Sequence, residues 1–295
     1  MRRDAESLAG PLPPLLSAAE RLAATVILGA HGRRRPGAGE TFWQYRRAAP
    51  GDSAASIDWR RSARSDALFV RETEWEAAQT VWLWCDRSAA MDYAGPRAGT
   101  TKRARAATLT LALAILLTRA GERVALLNGD GAARPSASAA QLERMALMLA
   151  QPEPEAEFGA PPPMEPARGG KAVFVSDFFG ETAPLEAAVG AAAARGLPGM
   201  MLQVLDPSEE SFPFKGRVIF ESMARSLRYE TDRADALKAD YQAALARRRD
   251  ALTALARSAG WRFSAHRTDE SAAAALLWLA QGLSGGFDAG IRRGA

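Results

Sequence analysis

The sequence predicts an α/β protein whose mainly parallel sheet is covered by helices on both faces. Three observations carry this. Apolar runs at 79–85, 123–127, 171–179 and 199–205 show little polar alternation, the mark of strands buried on both sides. Stretches rich in Ala and Leu at helical spacing separate them, the strand–helix alternation of a parallel sheet. Acids stand at the ends of several runs (Asp86, Asp177, Asp206), so polar groups should gather along one edge.

Taken in order, Leu15, Leu16, Ala19, Leu22, Ala23, Val26 and Ile27 predict a helix over 15–30, stopped by Gly29, Gly32 and the arginines at 33–35. A short strand or turn at 42–47 leads into the turn signal APGD at 49–52. Alternation marks a strand at 68–74, and 79–85 is the first core strand. The strongest helix is 102–119, with arginines near both ends and Gly121 just beyond. A strand at 123–127, a loop at 128–135 and a helix at 139–150 follow. Proline-rich 151–170 reads as a surface linker or irregular loop. Then come a strand at 171–179, a helix at 184–195, a strand at 199–205 and a small antiparallel pair at 217–221 and 226–229. The chain closes with a long helix at 233–260, a strand at 261–266 and a helix at 271–283. The arginine run 247–249 is expected on a solvated face. The organisation expected is an N-terminal helix and extended basic module over 1–78, an α/β domain over 79–283 and a tail over 284–295.

Composition narrows the function classes. The chain has 295 residues, 47% hydrophobic and 24% charged, with a net charge of +4, which is ordinary for a globular protein. Cys85 is alone, so no disulfide framework exists and a reducing, cytoplasmic setting is expected. No leader is visible, and the uncharged run 22–32 is too short to span a bilayer. Nine arginines against four acids make 31–71 locally basic. His31 and His266 lie far apart, with no Gly-x-Ser-x-Gly turn and no cysteine cluster. Nucleophilic catalysis and zinc therefore lack support, and a non-enzyme is expected. The stretch from Gly95 to Lys102 opens a helix, but its spacing is not that of a nucleotide phosphate loop.

Asp86 and Ser88 follow the first core strand, and Asp177 ends a later one. Such oxygens suit a hard divalent cation; the plainer reading is that they cap the following loop. The strand order with Asp86-x-Ser88 resembles the von Willebrand factor A fold. Four segments resemble more closely the prokaryotic family called domain of unknown function 58: PGDSAASIDWRRSAR (50–64), FVRETEWEAAQTVWLWCDRS (69–88), VFVSDFF (173–179) and DPSEESFPFKG (206–216). The resemblance implies a three-layer von Willebrand A-like domain and a role as adaptor or co-chaperone of a MoxR-type AAA+ ATPase, docking through the carboxyl edge of the sheet, with client proteins beyond it. It also implies a degenerate metal-dependent adhesion site at Asp86, Ser88 and Asp177. Position 90, a ligand serine in that motif, is Ala, and a methyl cannot coordinate; the expectation is no cofactor, or weakly bound Mg²⁺ or Mn²⁺. Partner contacts are expected at Asp52, Asp58, Trp59, Arg60 and Arg64, and at Glu209, Phe212 and Phe214, the two phenylalanines reading equally as core tucked under their loop. Two alternatives stand beside this. One is a nucleic-acid-binding module using the arginines with Phe42, Trp43, Tyr45 and Trp59; the other is a divergent metal-dependent hydrolase at the same sheet edge.

Overall fold

The computed structural model describes residues 14–26, 36–50, 52–64, 67–74, 79–96, 99–128, 131–132, 134–153, 156–162 and 170–285. The expectations for 27–35 and for the tail from 286 onward lie outside these residues. The chain divides into two compact units, Met1–Leu28 with Gln79–Ala295, and Gly29–Ala78.

The larger unit is built on a six-stranded sheet. Its strands are β3 (Thr80–Cys85), β4 (Arg123–Asn128), β5 (Gly131–Ala132), β6 (Lys171–Ser176), β7 (Gly199–Leu205) and β10 (Arg262–Arg267), in the spatial order β10-β7-β6-β3-β4-β5. All pairs are parallel except β4 with β5. This mixed α/β order, mainly parallel as expected, is compatible with the von Willebrand A-like reading.

Side-chain parity sorts the core into two layers, because successive strand residues point to opposite faces. Val81, Leu83 and Cys85 of β3 join Val124, Leu126, Val173, Val175, Met200 and Leu202 on one face. There they meet α1 (Pro14–Thr25), α3 (Lys102–Arg119), α4 (Ala139–Ala150) and α8 (Ala272–Gly285). Trp82 and Trp84 turn the other way. With Ala172, Phe174 and Met201 they pack on α5 (Thr182–Ala194), α7 (Lys238–Ser258) and Trp261. The α3 helix is Ala- and Leu-rich because it is enclosed by the sheet and by neighbouring helices, and its residues 109–117 are all buried. Each large apolar side chain buried in this way contributes about 2–3 kcal/mol. The N-terminal helix belongs to this core through Leu16, Ala19 and Ala23, so it parts company with the extended module that follows it in sequence.

The smaller unit is an antiparallel ribbon of β1 (Pro36–Arg47) and β2 (Phe69–Glu74), with bulges in β1. Its connecting segment holds the short helix α2 (Trp59–Ser62). Two further small elements belong to the larger unit: α6 (Pro207–Ser211) and the hairpin β8 (Val218–Glu221) with β9 (Arg228–Thr231). No helix among the described residues is long and apolar enough to cross a membrane.

Gly199 begins β7 where the Trp261 ring lies flat against the backbone, and a Cβ there would land in the indole. That ring is fixed by an Nε1 bond to the Leu197 carbonyl at 3.0 Å and by its edge-on contact with Phe174. Gly199→Ala is expected to cost about 1–3 kcal/mol through overpacking, read as a lower denaturant midpoint. An unchanged midpoint would show that this face of the core yields easily.

Candidate functional site

Strand order creates one topological switch point. The chain leaves β3 toward β4 on one side and returns with β6 on the other, which opens a crevice beyond their carboxyl ends. Asp86 follows β3, Asp177 follows β6 and Asp206 follows β7, so three aspartates share this edge. Asp86, Ser88 and Asp177 are thus brought to one region, as the sequence predicts, but they lie beneath the surface: Asp86 is 2% exposed, Ser88 and Asp177 1% each.

Their oxygens are largely spent on the protein itself. Asp86 Oδ1 accepts the Ser88 backbone N–H at 2.9 Å, and its Oδ2 accepts the Ser176 hydroxyl at 2.7 Å. Asp177 Oδ1 accepts from the Phe179 N–H at 3.0 Å. Its Oδ2 takes the Lys102 ammonium at 2.8 Å, and the same ammonium reaches Glu209 Oε1 at 2.6 Å. Lys102 is 1% exposed, a fully buried cation between two carboxylates. Burial alone would depress its pKa; the charges of Asp177 and Glu209 override this and hold it above the usual lysine range. Burial raises the Asp86 carboxyl, and the Asp177 charge pushes it the same way. Burial also raises Glu209, against the pull of Lys102.

A second knot lies beside the first. Asp206 caps α6 through the Ser208 N–H, while Glu209 Oε2 accepts the Asp206 N–H at 2.8 Å, a reciprocal capping box. Asp206 Oδ2 takes the Gly95 N–H at 2.9 Å, and Gly95 sits so close that a Cβ would strike Asp206 and Ser208. The amide of Gly95 and the ammonium of Lys102, both ends of the loop before α3, are therefore committed internally rather than offered to a phosphate.

The proline-rich stretch is an irregular loop rather than a free linker: within it, 156–162 packs onto the edge, where Ala89 and Ala90 donate N–H bonds to the Ala156 and Glu157 carbonyls and Gly159 lies directly on the Asp86 carboxylate. Only a glycine permits that approach, a signal present in the sequence and easily missed. The arginine run of α7 departs from a purely solvated face. Arg248 donates to the Phe178 and Gly180 carbonyls, and Arg249 pairs with Glu210 and Gln203.

These residues do not fit a divalent cation. Asp177 is neutralised by Lys102, both Asp86 oxygens are engaged, and Ala90 contributes no oxygen. Among the described residues no group of three or more His, Cys, Asp or Glu could hold a metal ion. The Ser88 hydroxyl is buried near Asp86 without a well-aligned hydrogen bond.

The expected partner contacts divide. Phe212 is buried and stacks among Phe214, Phe220 and Tyr241, and Glu209 belongs to the Lys102 pair. Phe212 is thus an interior wedge and Glu209 half of an ion pair, while Phe214 stays half-buried beside them. In the smaller unit, Asp52 takes a two-pronged bond from Arg46, both prongs 2.7 Å, and is held well below the usual carboxylate range by it. Asp58 caps α2 at the Arg61 N–H and accepts from the Tyr45 hydroxyl. Arg61 lies over the Tyr45 and Phe69 rings. These residues brace the turn, which leaves Trp59 60% exposed beside exposed Arg60 and Arg64. The side chains of Phe42 and Trp43 lie outside the described residues.

At the outer end of the same edge, His266 is buried with Nε2 unpartnered, and burial, reinforced by Arg105, lowers its pKa from 6.5 to about 4. Between those values the unfolded chain binds a proton that the folded chain refuses. Stability from this group is therefore complete above about pH 6.5 and is lost as pH falls toward 4, by about 3 kcal/mol. His266→Phe should flatten the melting temperature against pH over that window; an unaltered slope would show that His266 contributes nothing to it.

A family described as "Protein of unknown function DUF58" matches residues 44–251. Proteins of Mycobacterium bovis and Mycobacterium tuberculosis, each described as uncharacterized, are 28% identical over 282 residues, covering 92% of this chain and 85% of theirs. Among solved structures, similarity reaches a conserved hypothetical protein BatB from Bacteroides thetaiotaomicron (14% identity, TM-score 0.40). It also reaches an aerotolerance-related membrane protein from Bacteroides fragilis (11%, TM-score 0.41). Each covers 70% of this chain and 98% of its own. Since the matched segment takes in both the braced turn around Asp52 and Asp58 and the β3–β6 edge, well over half of the chain, the protein belongs to the DUF58 family.

Proposed function

We propose that the protein is a non-enzymatic, cytoplasmic interaction module that serves a MoxR-type AAA+ ATPase as adaptor or co-chaperone. The observation that carries this reading is the division of polar and apolar groups. Asp86, Ser88, Asp177 and Lys102 are all buried, so no acid, base or nucleophile of the switch point is offered to a substrate. Trp59, by contrast, is exposed on a helix turn held by the Asp58 cap. An aromatic ring on a rigid support with arginines beside it is the composition of an interface anchor. The ATPase is supplied by the family resemblance, whose most specific segment contains this turn. Docking through Asp86 and Asp177 themselves, as in a metal-dependent adhesion site, is set aside because neither reaches the surface.

The test is binding of the purified chain to the MoxR-type ATPase of its own cell, with ATP present. Trp59→Ala is expected to weaken the affinity by about tenfold or more, a loss of at least about 1.4 kcal/mol, with the melting temperature unchanged. Equal binding by wild type and variant would remove Trp59 as the anchor, and no binding by either would remove the ATPase. The same exposed ring beside arginines favours single-stranded nucleic acid as a second reading. It predicts oligonucleotide affinity that falls steeply with salt and is lost in Trp59→Ala.

A further inference from the structure

We infer that the cation of this sheet edge is built into the chain: the Lys102 ammonium takes the place that a divalent ion would occupy, and its removal opens a site for Mg²⁺ or Mn²⁺. This holds whichever partner the protein serves. An ammonium and a partly hydrated divalent ion are alternative ways of neutralising carboxylates that converge at a switch point. Here the convergence is complete without a metal, since Asp177 Oδ2 and Glu209 Oε1 lie 2.8 Å and 2.6 Å from one nitrogen. The lysine enters from the first turn of α3, where Thr101 caps the helix and the backbone N–H of Lys102 bonds the Tyr93 carbonyl at 3.2 Å. That anchor aims the side chain across the end of β6.

A further oxygen stands beside this edge: the Ser88 hydroxyl is buried near the Asp86 carboxylate, whose charge it helps to hold, without a well-aligned hydrogen bond. Truncating Lys102 to Ala frees Asp177 Oδ2 and Glu209 Oε1, and vacates the volume of an aminopropyl group. Oxygen ligands with room for waters are what Mg²⁺ and Mn²⁺ select. A methionine at the same position removes the charge but keeps the space filled.

The experiment compares wild type, Lys102→Ala and Lys102→Met by thermal unfolding in EDTA and in millimolar MnCl₂, with calorimetric titration by MnCl₂. The wild type should give no saturable heat and the same melting temperature in both buffers. Both variants should melt lower, by on the order of 10 °C, because two buried carboxylates lose their counter-charge. Mn²⁺ should raise the melting temperature of Lys102→Ala and leave that of Lys102→Met unmoved. If Lys102→Ala is unfolded in EDTA, folding on addition of Mn²⁺ reads the same result. Saturable Mn²⁺ binding by the wild type that Asp177→Ala abolishes would overturn the inference. So would a Lys102→Ala protein indifferent to Mn²⁺.

Discussion

A single buried ammonium organises the polar end of this fold. Lys102, the first residue of α3, is almost wholly removed from solvent, and such a charge is tolerated only where its counter-charges and hydrogen bonds are supplied by the protein. Asp177 and Glu209 supply them. The requirement reaches outward from there. Asp177 must end β6 within reach of α3. Glu209 must be held by the capping box of α6, and Asp206 must fix the loop that leads into Lys102 through the Gly95 amide. The ends of β6 and β7 and the starts of α3 and α6 are one hydrogen-bonded unit, in which each member limits the freedom of the others.

This turns a location where α/β proteins usually bind ligands into a joint. The crevice beyond β3 and β6 is filled from inside by Lys102, covered by the 156–162 strap with Gly159 on Asp86, and braced by Arg248 at the 178–180 loop. Raised carboxyl pKa values at Asp86 and Glu209 follow from that burial, as structural networks perturb titration just as active sites do. The exposed ring on which the proposed recognition rests is Trp59, in a turn braced by Asp52 with Arg46 and by Asp58, with Arg60 and Arg64 left exposed beside it.

Much of this was legible in the sequence, and the reasons for what was not are physical. The strands announce themselves because residues buried on both faces must be apolar in succession, and α3 because a helix enclosed on several sides must be built of small and aliphatic residues. Asp86 and Asp177 were placed at a common edge by the same logic. The partner of Asp177 was not, because Lys102 lies 75 residues away from it and 107 from Glu209, and no local pattern encodes which strand end an isolated lysine will meet. The Phe212–Phe214 wedge was ambiguous for a similar reason: an aromatic pair beside acids reads alike as a surface or as a plug. Here the left-handed turn at Phe212 tucks it inward. The arginines of α7 and the proline-rich strap likewise show their role only once the β6 loop is beside them.

The most direct measurement is a crystal structure of the wild-type protein grown in excess Mn²⁺, with diffraction collected where manganese scatters anomalously. Continuous density for the Lys102 side chain between Asp177 and Glu209 is expected, with no anomalous peak at the sheet edge. An anomalous peak beside Asp86 or Asp177, with Lys102 turned away, would contradict it.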